Sequence, residues 1–311
     1  MNASFRHVPP PIRRSPSLVV PAAVVIVFNP AAGRRRAQLL WRVLDVMSHN
    51  GVRLEISETR HRGHAMELAR RAAGAGVPLV VAAGGDGTIA EVANGLSGTA
   101  CRLGIIPLGT ANVLAHELGL PFAPRAVAAS LAFSRSRTVW PGVVSGPGGS
   151  RLFVQMLGAG FDAQVVHRLP IPLKRLLGRG AYVAQSLREA ARYRFPPIRV
   201  CIDGQATEAF SVIVTKGHFY AGRYMLAPGA TPTERGFTVA LFDCAGPLSA
   251  LLYGAALPLN LMPRLPGIRL LRAERIEICS IDIPAQADGD AAGRAPLLVT
   301  DAAAPISVVV S

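Results

Sequence analysis

Two rhythms of apolar and polar positions divide the chain. Up to about residue 139, apolar strands recur at 24–28, 52–57, 79–83 and 103–106. The run at 79–83 has no polar alternation, as expected of a parallel strand covered on both faces. Helical stretches lie between them at 38–47, on to Ala73, at 90–95 with its glycine stop, and into Gly119-Leu120-Pro121. Strand alternating with helix predicts an open parallel sheet. Past residue 139 the rhythm changes. The turn cluster Gly146-Pro147-Gly148-Gly149 precedes short β-rich segments at 199–202, 210–215, 237–242 and 275–281, a pattern that predicts an antiparallel sandwich. Two helical insertions break it. The first, 173–195, carries Lys174, Arg175, Arg179, Arg188, Arg192 and Arg194 and taken alone reads as a solvated basic helix; the second, 248–262, is almost wholly apolar and reads as a core helix.

A chain of 311 residues, half of them hydrophobic, can bury a sizeable core and is expected to form two domains. The expected division is a disordered basic, proline-rich arm at 1–20, an α/β domain at 21–144, a β-sandwich at 145–300, and a strand or tail at 301–311 with the option of returning to the first domain. Aromatics make up 6% and mean hydropathy is +0.34, so the apolar character rests on Ala, Val and Leu and argues against disorder. No apolar run reaches the roughly 18 to 20 residues that span a bilayer. Residues 1–17 hold three consecutive prolines but no apolar segment of the kind a secretory signal needs. Cys101, Cys201, Cys244 and Cys279 are widely spaced in apolar surroundings, which predicts buried free thiols in a reducing cytosol.

Charge narrows the partners. The formal charge is +14, almost all of it arginine, since Lys174 and Lys216 are the only lysines. Such a surface draws nucleotides, anionic lipid headgroups and nucleic acid alike. Nucleic acid is disfavoured, because no binding module is present and few aromatics interleave with the arginines.

The chemistry concentrates where 79–83 breaks into Gly84-Gly85-Asp86-Gly87-Thr88 and leaves as a helix. Glycines permit close backbone approach, and N–H groups at a helix start favour an anion, phosphate above all. Asp86 would repel phosphate unless a cation bridges the two or a proton is to be accepted. Three further strand-to-helix junctions carry Asn29-Pro30-Ala31-Ala32-Gly33-Arg34, Thr59 with Gly63-His64-Ala65, and Pro107-Leu108-Gly109-Thr110-Ala111-Asn112. In a parallel sheet all four lie at the carboxyl edge, where ligands bind.

These motifs, continued by Asn94-Gly95, Gly158-x-Gly160-x-Asp162-Ala163 and Asp288-Gly289-Asp290, resemble the diacylglycerol kinase catalytic family, which includes sphingosine and ceramide kinases and bacterial lipid kinases and is more distantly similar to NAD kinase. The resemblance covers most of the chain and implies an NAD kinase-like architecture: a nucleotide-binding open parallel-sheet domain, a β-sandwich supplying the lipid site, and ATP held between them. It implies ATP and Mg2+ as cofactors, with Asn29, Pro30, Gly33, Arg34, Thr59, Gly84, Gly85, Gly87, Thr88, Gly109, Thr110 and Asn112 around the triphosphate. Catalytic duty falls on Asp86, Asp288 and Asp290, with Asp86 steadying the metal through water and Asp288 taking the proton of a lipid hydroxyl.

Two departures stand out. Asp290 replaces the family's usual Glu with a side chain one methylene shorter. Where bacterial members carry an Asp-Asp-Gly turn and a structural metal after an Ala-Pro, Ala227-Pro228 leads to Thr233-Glu234-Arg235-Gly236, and an arginine there would repel the metal. The expected function is an ATP-dependent, diacylglycerol-type lipid kinase in the cytoplasm, reversibly bound to the anionic inner membrane surface. The alternatives are a ceramide or sphingoid-base kinase, an NAD kinase-like enzyme, or a non-catalytic sensor. Oligomeric state stays open, a homodimer included.

Overall fold

The computed structural model describes residues 23–32, 37–133, 135–170 and 179–311. The arm expected at 1–20, together with Gly33, Arg34, Lys174 and Arg175, lies outside them.

Strands β1 (Val24–Phe28), β2 (Leu54–Glu58), β3 (Leu79–Gly84) and β4 (Arg102–Pro107) run parallel in the order β2-β1-β3-β4. Helices α1 (Ala37–His49), α2 (His64–Gly74), α3 (Asp86–Leu96) and α4 (Val113–Glu117) follow them in turn, and α5 (Pro124–Phe133) closes the series. Both faces of the sheet are buried. Val25, Val27, Val80 and Ala82 face the layer formed by α2 and α3, while Val24, Ile26, Leu79 and Val81 face α1 and α5. Two more strands extend the sheet past β4. The C-terminal strand Ile306–Val310 lies between β4 and Arg135–Val139, parallel to the first and antiparallel to the second.

Helix α3 starts four residues earlier than its composition indicates. Gly85 caps it in extended conformation (φ −96°), and its carbonyl accepts the Ile89 N–H at 3.0 Å, so Asp86, Gly87 and Thr88 form the first helical turn. An acidic side chain is favourable there, against the positive end of the helix. At the far end, Gly95 lets α2 and α3 touch: a Cβ would sit 2.4 Å from the Met66 carbonyl oxygen.

The second domain is a sandwich of two six-stranded antiparallel sheets. One runs in the order Gln205–Ala209, Ile198–Ile202, Ile276–Ile278, Leu297–Asp301, Gly142–Gly146, Gly149–Phe153; the other runs Ile268–Ala273, Phe237–Phe242, Ser211–Thr215, Met156–Gly160, Pro284–Ala287, Asp290–Arg294. Phe153, Leu157, Val200, Val214, Phe237, Val239 and Ile276 fill the space between them. Around the sandwich lie α6 (Phe161–Arg168), α7 (Arg179–Ala190) and α8 (Pro247–Ala256).

Two expectations need correction. The 248–262 stretch is not a core helix. It forms α8 and short 3-10 turns, and Leu248, Leu251, Leu252, Leu259 and Leu261 are exposed because no layer of the described residues covers their side. The cysteines are free but not uniformly buried: burial pushes up the Cys101 thiol, whereas Cys244 and Cys279 sit at exposed positions.

Candidate active site at the domain junction

Strand order reverses between β1 and β3, so their carboxyl ends open the crevice in which α/β sheets bind ligands. Asn29 leaves β1 there. Its Nδ2 donates to Thr88 Oγ1 at 3.0 Å and its Oδ1 accepts the Ala31 N–H at 3.0 Å, tying the first junction to the first turn of α3. Pro30 is exposed just beyond it. Thr59 leaves β2 alongside, its N–H bonded to Phe28 O at 2.8 Å. The loop after Thr59 is held by Glu91, a residue of α3 that motif reading passes over. Its two oxygens accept the Gly63 and Ala65 N–H groups at 2.9 and 3.1 Å.

The crowding at the site glycines comes from the protein itself. A Cβ at Gly84 would lie 2.5 Å from Thr88 Oγ1, and one at Gly109 would lie 2.5 Å from Gly85 Cα. The β3–α3 and β4–α4 loops therefore meet backbone to backbone. Asp86 locks the contact, its oxygens accepting the N–H groups of Asn112 (2.9 Å) and Val113 (2.6 Å) at the start of α4. Asn112 is buried in left-handed conformation (φ 49°), donates Nδ2 to Gly109 O at 2.8 Å, and leaves its Oδ1 without a hydrogen-bond partner. Thr110 is exposed on the same loop.

The sandwich delivers the remaining carboxylates. Asp290 lies over the loop, its Oδ2 3.1 Å from where a Gly87 Cβ would be, while its Oδ1 pairs with Arg62 of the α/β domain at 2.5 Å. Sequence placed Arg62 inside a quoted loop but not opposite Asp290, since the pair is 228 residues apart. Asn94 spans the same junction, accepting the Leu152 N–H at 2.9 Å. Asp288 is nearly sealed off. In left-handed conformation (φ 50°), it accepts N–H groups from Val154 (2.7 Å), Gln155 (2.9 Å) and Met156 (3.0 Å). Burial nevertheless pushes its pKa up to about 6, against the pull of those bonds. Gln286 supports the turn, accepting the Gly289 N–H at 2.8 Å and donating to Asp162 at 2.8 Å. Asp162 also accepts from Tyr220, and burial lifts its carboxyl above the usual range.

A cation does hold the 233–236 turn, and it belongs to the chain. Lys216 Nζ, fully buried, donates to Glu234 O (3.1 Å), Gly236 O (2.7 Å) and Asp301 Oδ1 (2.7 Å), and lies 4.6 Å from the Phe237 ring centre. Arg235 turns away onto Trp140. The ammonium thus balances the Asp301 carboxylate and gathers the carbonyls of the turn from within the chain. Lys216→Met should cost about 3–5 kcal/mol by stranding Asp301 and two carbonyls, whereas a chelator should leave the melting temperature of the native chain unchanged. Melting curves with and without chelator check both, and a chelator-induced drop would refute the reading.

Comparison with known proteins matches this geometry to a family. The model for the diacylglycerol kinase catalytic domain matches residues 23–144, and that for the YegS C-terminal NAD kinase beta sandwich-like domain matches 155–310. The Bacillus subtilis protein named diacylglycerol kinase is 31% identical over 226 residues, 71% of this chain and 73% of that one. The chain belongs to the diacylglycerol kinase catalytic family. A Chromohalobacter salexigens protein named a probable lipid kinase, YegS-like, is 39% identical over 148 residues, 46% of each chain. A solved diacylglycerol kinase structure from Bacillus anthracis covers 93% of this chain and 97% of its own at 20% identity and a TM-score of 0.69, a likeness of fold. Membership makes the protein a kinase of the lipid kinase group, with ATP as the substrate the family implies and an NAD kinase-like two-domain architecture. No helix among the described residues is long and apolar enough to cross a membrane.

Proposed function

We propose that the protein transfers the γ-phosphoryl group of ATP to the hydroxyl of a diacylglycerol-type lipid in a Mg2+-dependent reaction, while reversibly associated with an anionic membrane surface. The observation that carries this reading is the meeting of Asp290, from the sandwich, with Gly87 of the loop at the start of α3. Residues of both domains thereby face one phosphoryl group. N–H groups of Gly85 to Thr88 at the helix start, with Asn29, Thr59, Thr110 and Asn112, hold the triphosphate, and Arg34, outside the described residues, would add a positive charge.

The carboxylates of Asp86 and Asp290 and the unpartnered Asn112 Oδ1 form an all-oxygen donor set around the loop, which suits a hard cation. Asp86 would hold Mg2+ through water, because both its oxygens already accept backbone N–H groups. Bound there, the ion supplies charge neutralisation on the phosphate oxygens. Asp288, with its pKa raised to about 6, is matched to accepting a hydroxyl proton near neutrality. Asp290, fixed by Arg62, orients the loop and the acceptor. Apolar residues complete the acceptor side. Val113, whose N–H binds Asp86, and Met156, whose N–H binds Asp288, share one buried cluster with Ile213, Leu226 and Phe242, so the acceptor side of the site is backed by apolar packing.

The test is transfer itself. Purified protein with γ-labelled ATP, Mg2+ and a total lipid extract should label phosphatidate. Label in ceramide or a sphingoid base would move the acceptor, and label in added NAD would move it out of lipids. ATP binding with no transfer at all would leave a sensor and refute the proposal.

A further inference from the structure

The 244–263 stretch carries no charged residue, yet much of it faces solvent. Within α8, Tyr253 and Ala256 turn inward, where Tyr253 meets Phe242 edge-on at 5.2 Å. Leu248, Leu251, Leu252 and Ala255 recur at the spacing of one helical face and point out, Leu248 being 83% exposed and Leu252 53%. Leu259 continues the patch at 67%. Helix α7 packs against α8 and adds Val183 and Leu187, both exposed. An apolar face of this extent marks an interaction site.

We infer that the outward face of α8, extended by α7, is a membrane-insertion surface for an anionic bilayer, lying in the interface with its leucines among the acyl chains. The inference rests on the lipid-kinase reading above. Three observations select a bilayer. Arg188 on α7, Arg264 just beyond the patch, and Arg223, two residues from the Met225 N–H that bonds Asn260, are all exposed and without an ion-pair partner among the described residues. Such a rim matches anionic headgroups. A second copy of this chain, charged +14, would instead bring two arginine rims together. The inner side of α8 also packs on the buried cluster containing Val113 and Met156, so the exposed leucines are backed by the same core as the residues that hold Asp86 and Asp288.

The double variant Leu248→Asp/Leu252→Asp tests it, both positions being exposed and an unchanged melting temperature confirming the fold. In sedimentation with phosphatidylcholine vesicles containing phosphatidylglycerol, the native chain should bind and keep part of its binding at high salt. The variant should lose at least tenfold in partitioning at both salt concentrations. Phosphorylation of vesicle-borne diacylglycerol should fall in parallel, while that of a water-soluble short-chain diacylglycerol stays unchanged. A variant that binds vesicles like the native chain, or that differs only in oligomeric state, overturns the inference. If the native chain phosphorylates neither acceptor, the kinase reading fails while vesicle binding still decides the role of α8.

Discussion

Gly109→Ala should lower ATP affinity on the order of 10²-fold, the size of effect that a displacement of about 1 Å can have on an assembled site. The added methyl would lie 2.5 Å from Gly85 Cα and 2.7 Å from Asn112 Oδ1. Gly85 Cα is backbone, and the buried Asn112 side chain is tied to Gly109 O through its Nδ2, so the two loops must separate. Separation breaks the bonds from Asn112 and Val113 N–H to Asp86 and turns the first turn of α3 away from the phosphates. The sandwich has no part in this contact and should keep its stability. Gly148→Ala is the control, because nothing lies within 4 Å of its Cβ position. Calorimetric ATP titration of both variants, with melting curves alongside, measures the effect. Native affinity in a folded Gly109→Ala protein would remove the paired loops from the nucleotide site.

Much of this arrangement was open to a reading of the sequence, for physical reasons. A short unbroken apolar run such as Leu79–Gly84, carrying β-branched Val80 and Val81 and ended by glycines, fits a strand buried on both faces, and glycine-rich breaks after such strands fall at one edge of a parallel sheet. That placement brings Asn29, Asp86, Thr88 and Asn112 to one edge, where they bond one another. Long-range pairs were not legible in this way. Arg62 and Asp290 are brought together only by docking of the two domains, and the Asp290 side chain needs no greater length because left-handed Asp288 and Gly289 aim it at Gly87. Lys216 was one basic residue among many until Glu234, Gly236 and Asp301 closed around it. For α8, composition spoke correctly of apolar character but not of what lies outside it; burial depends on a neighbouring layer, which no local pattern encodes.

Asp288→Asn separates catalysis from architecture at the most buried carboxylate of the site. If Asp288 accepts the hydroxyl proton, kcat should fall about 10² to 10⁴-fold with ATP affinity nearly unchanged. With a pKa of about 6, the native enzyme should lose kcat as pH falls through 6, and residual activity of the variant should lack that limb. The substitution is not silent structurally. An amide can accept from Gln155 and Met156 but then turns its NH2 toward the Val154 N–H, and a buried donor left unpaired costs about 1–3 kcal/mol. Linkage supplies a signature for this second effect. Because burial raises the folded-state pKa above the ordinary value of 3.8, the folded protein binds the proton more tightly than the unfolded chain. The stabilisation is fully present below about pH 4 and is lost as pH rises through 6, and the whole span amounts to about 3 kcal/mol at 1.36 kcal/mol per pKa unit. The variant cannot gain it, so its stability deficit against the native chain should widen from pH 7 to pH 5. Denaturant unfolding at the two pH values, beside kcat profiles, reads both effects. A widening deficit with kcat and its acid limb intact would leave Asp288 as the anchor of 154–156 and pass the base role to Asp86 or Asp290. For Asp86, the companion Asp86→Asn variant should weaken ATP binding as well as turnover and recover in part as Mg2+ is raised.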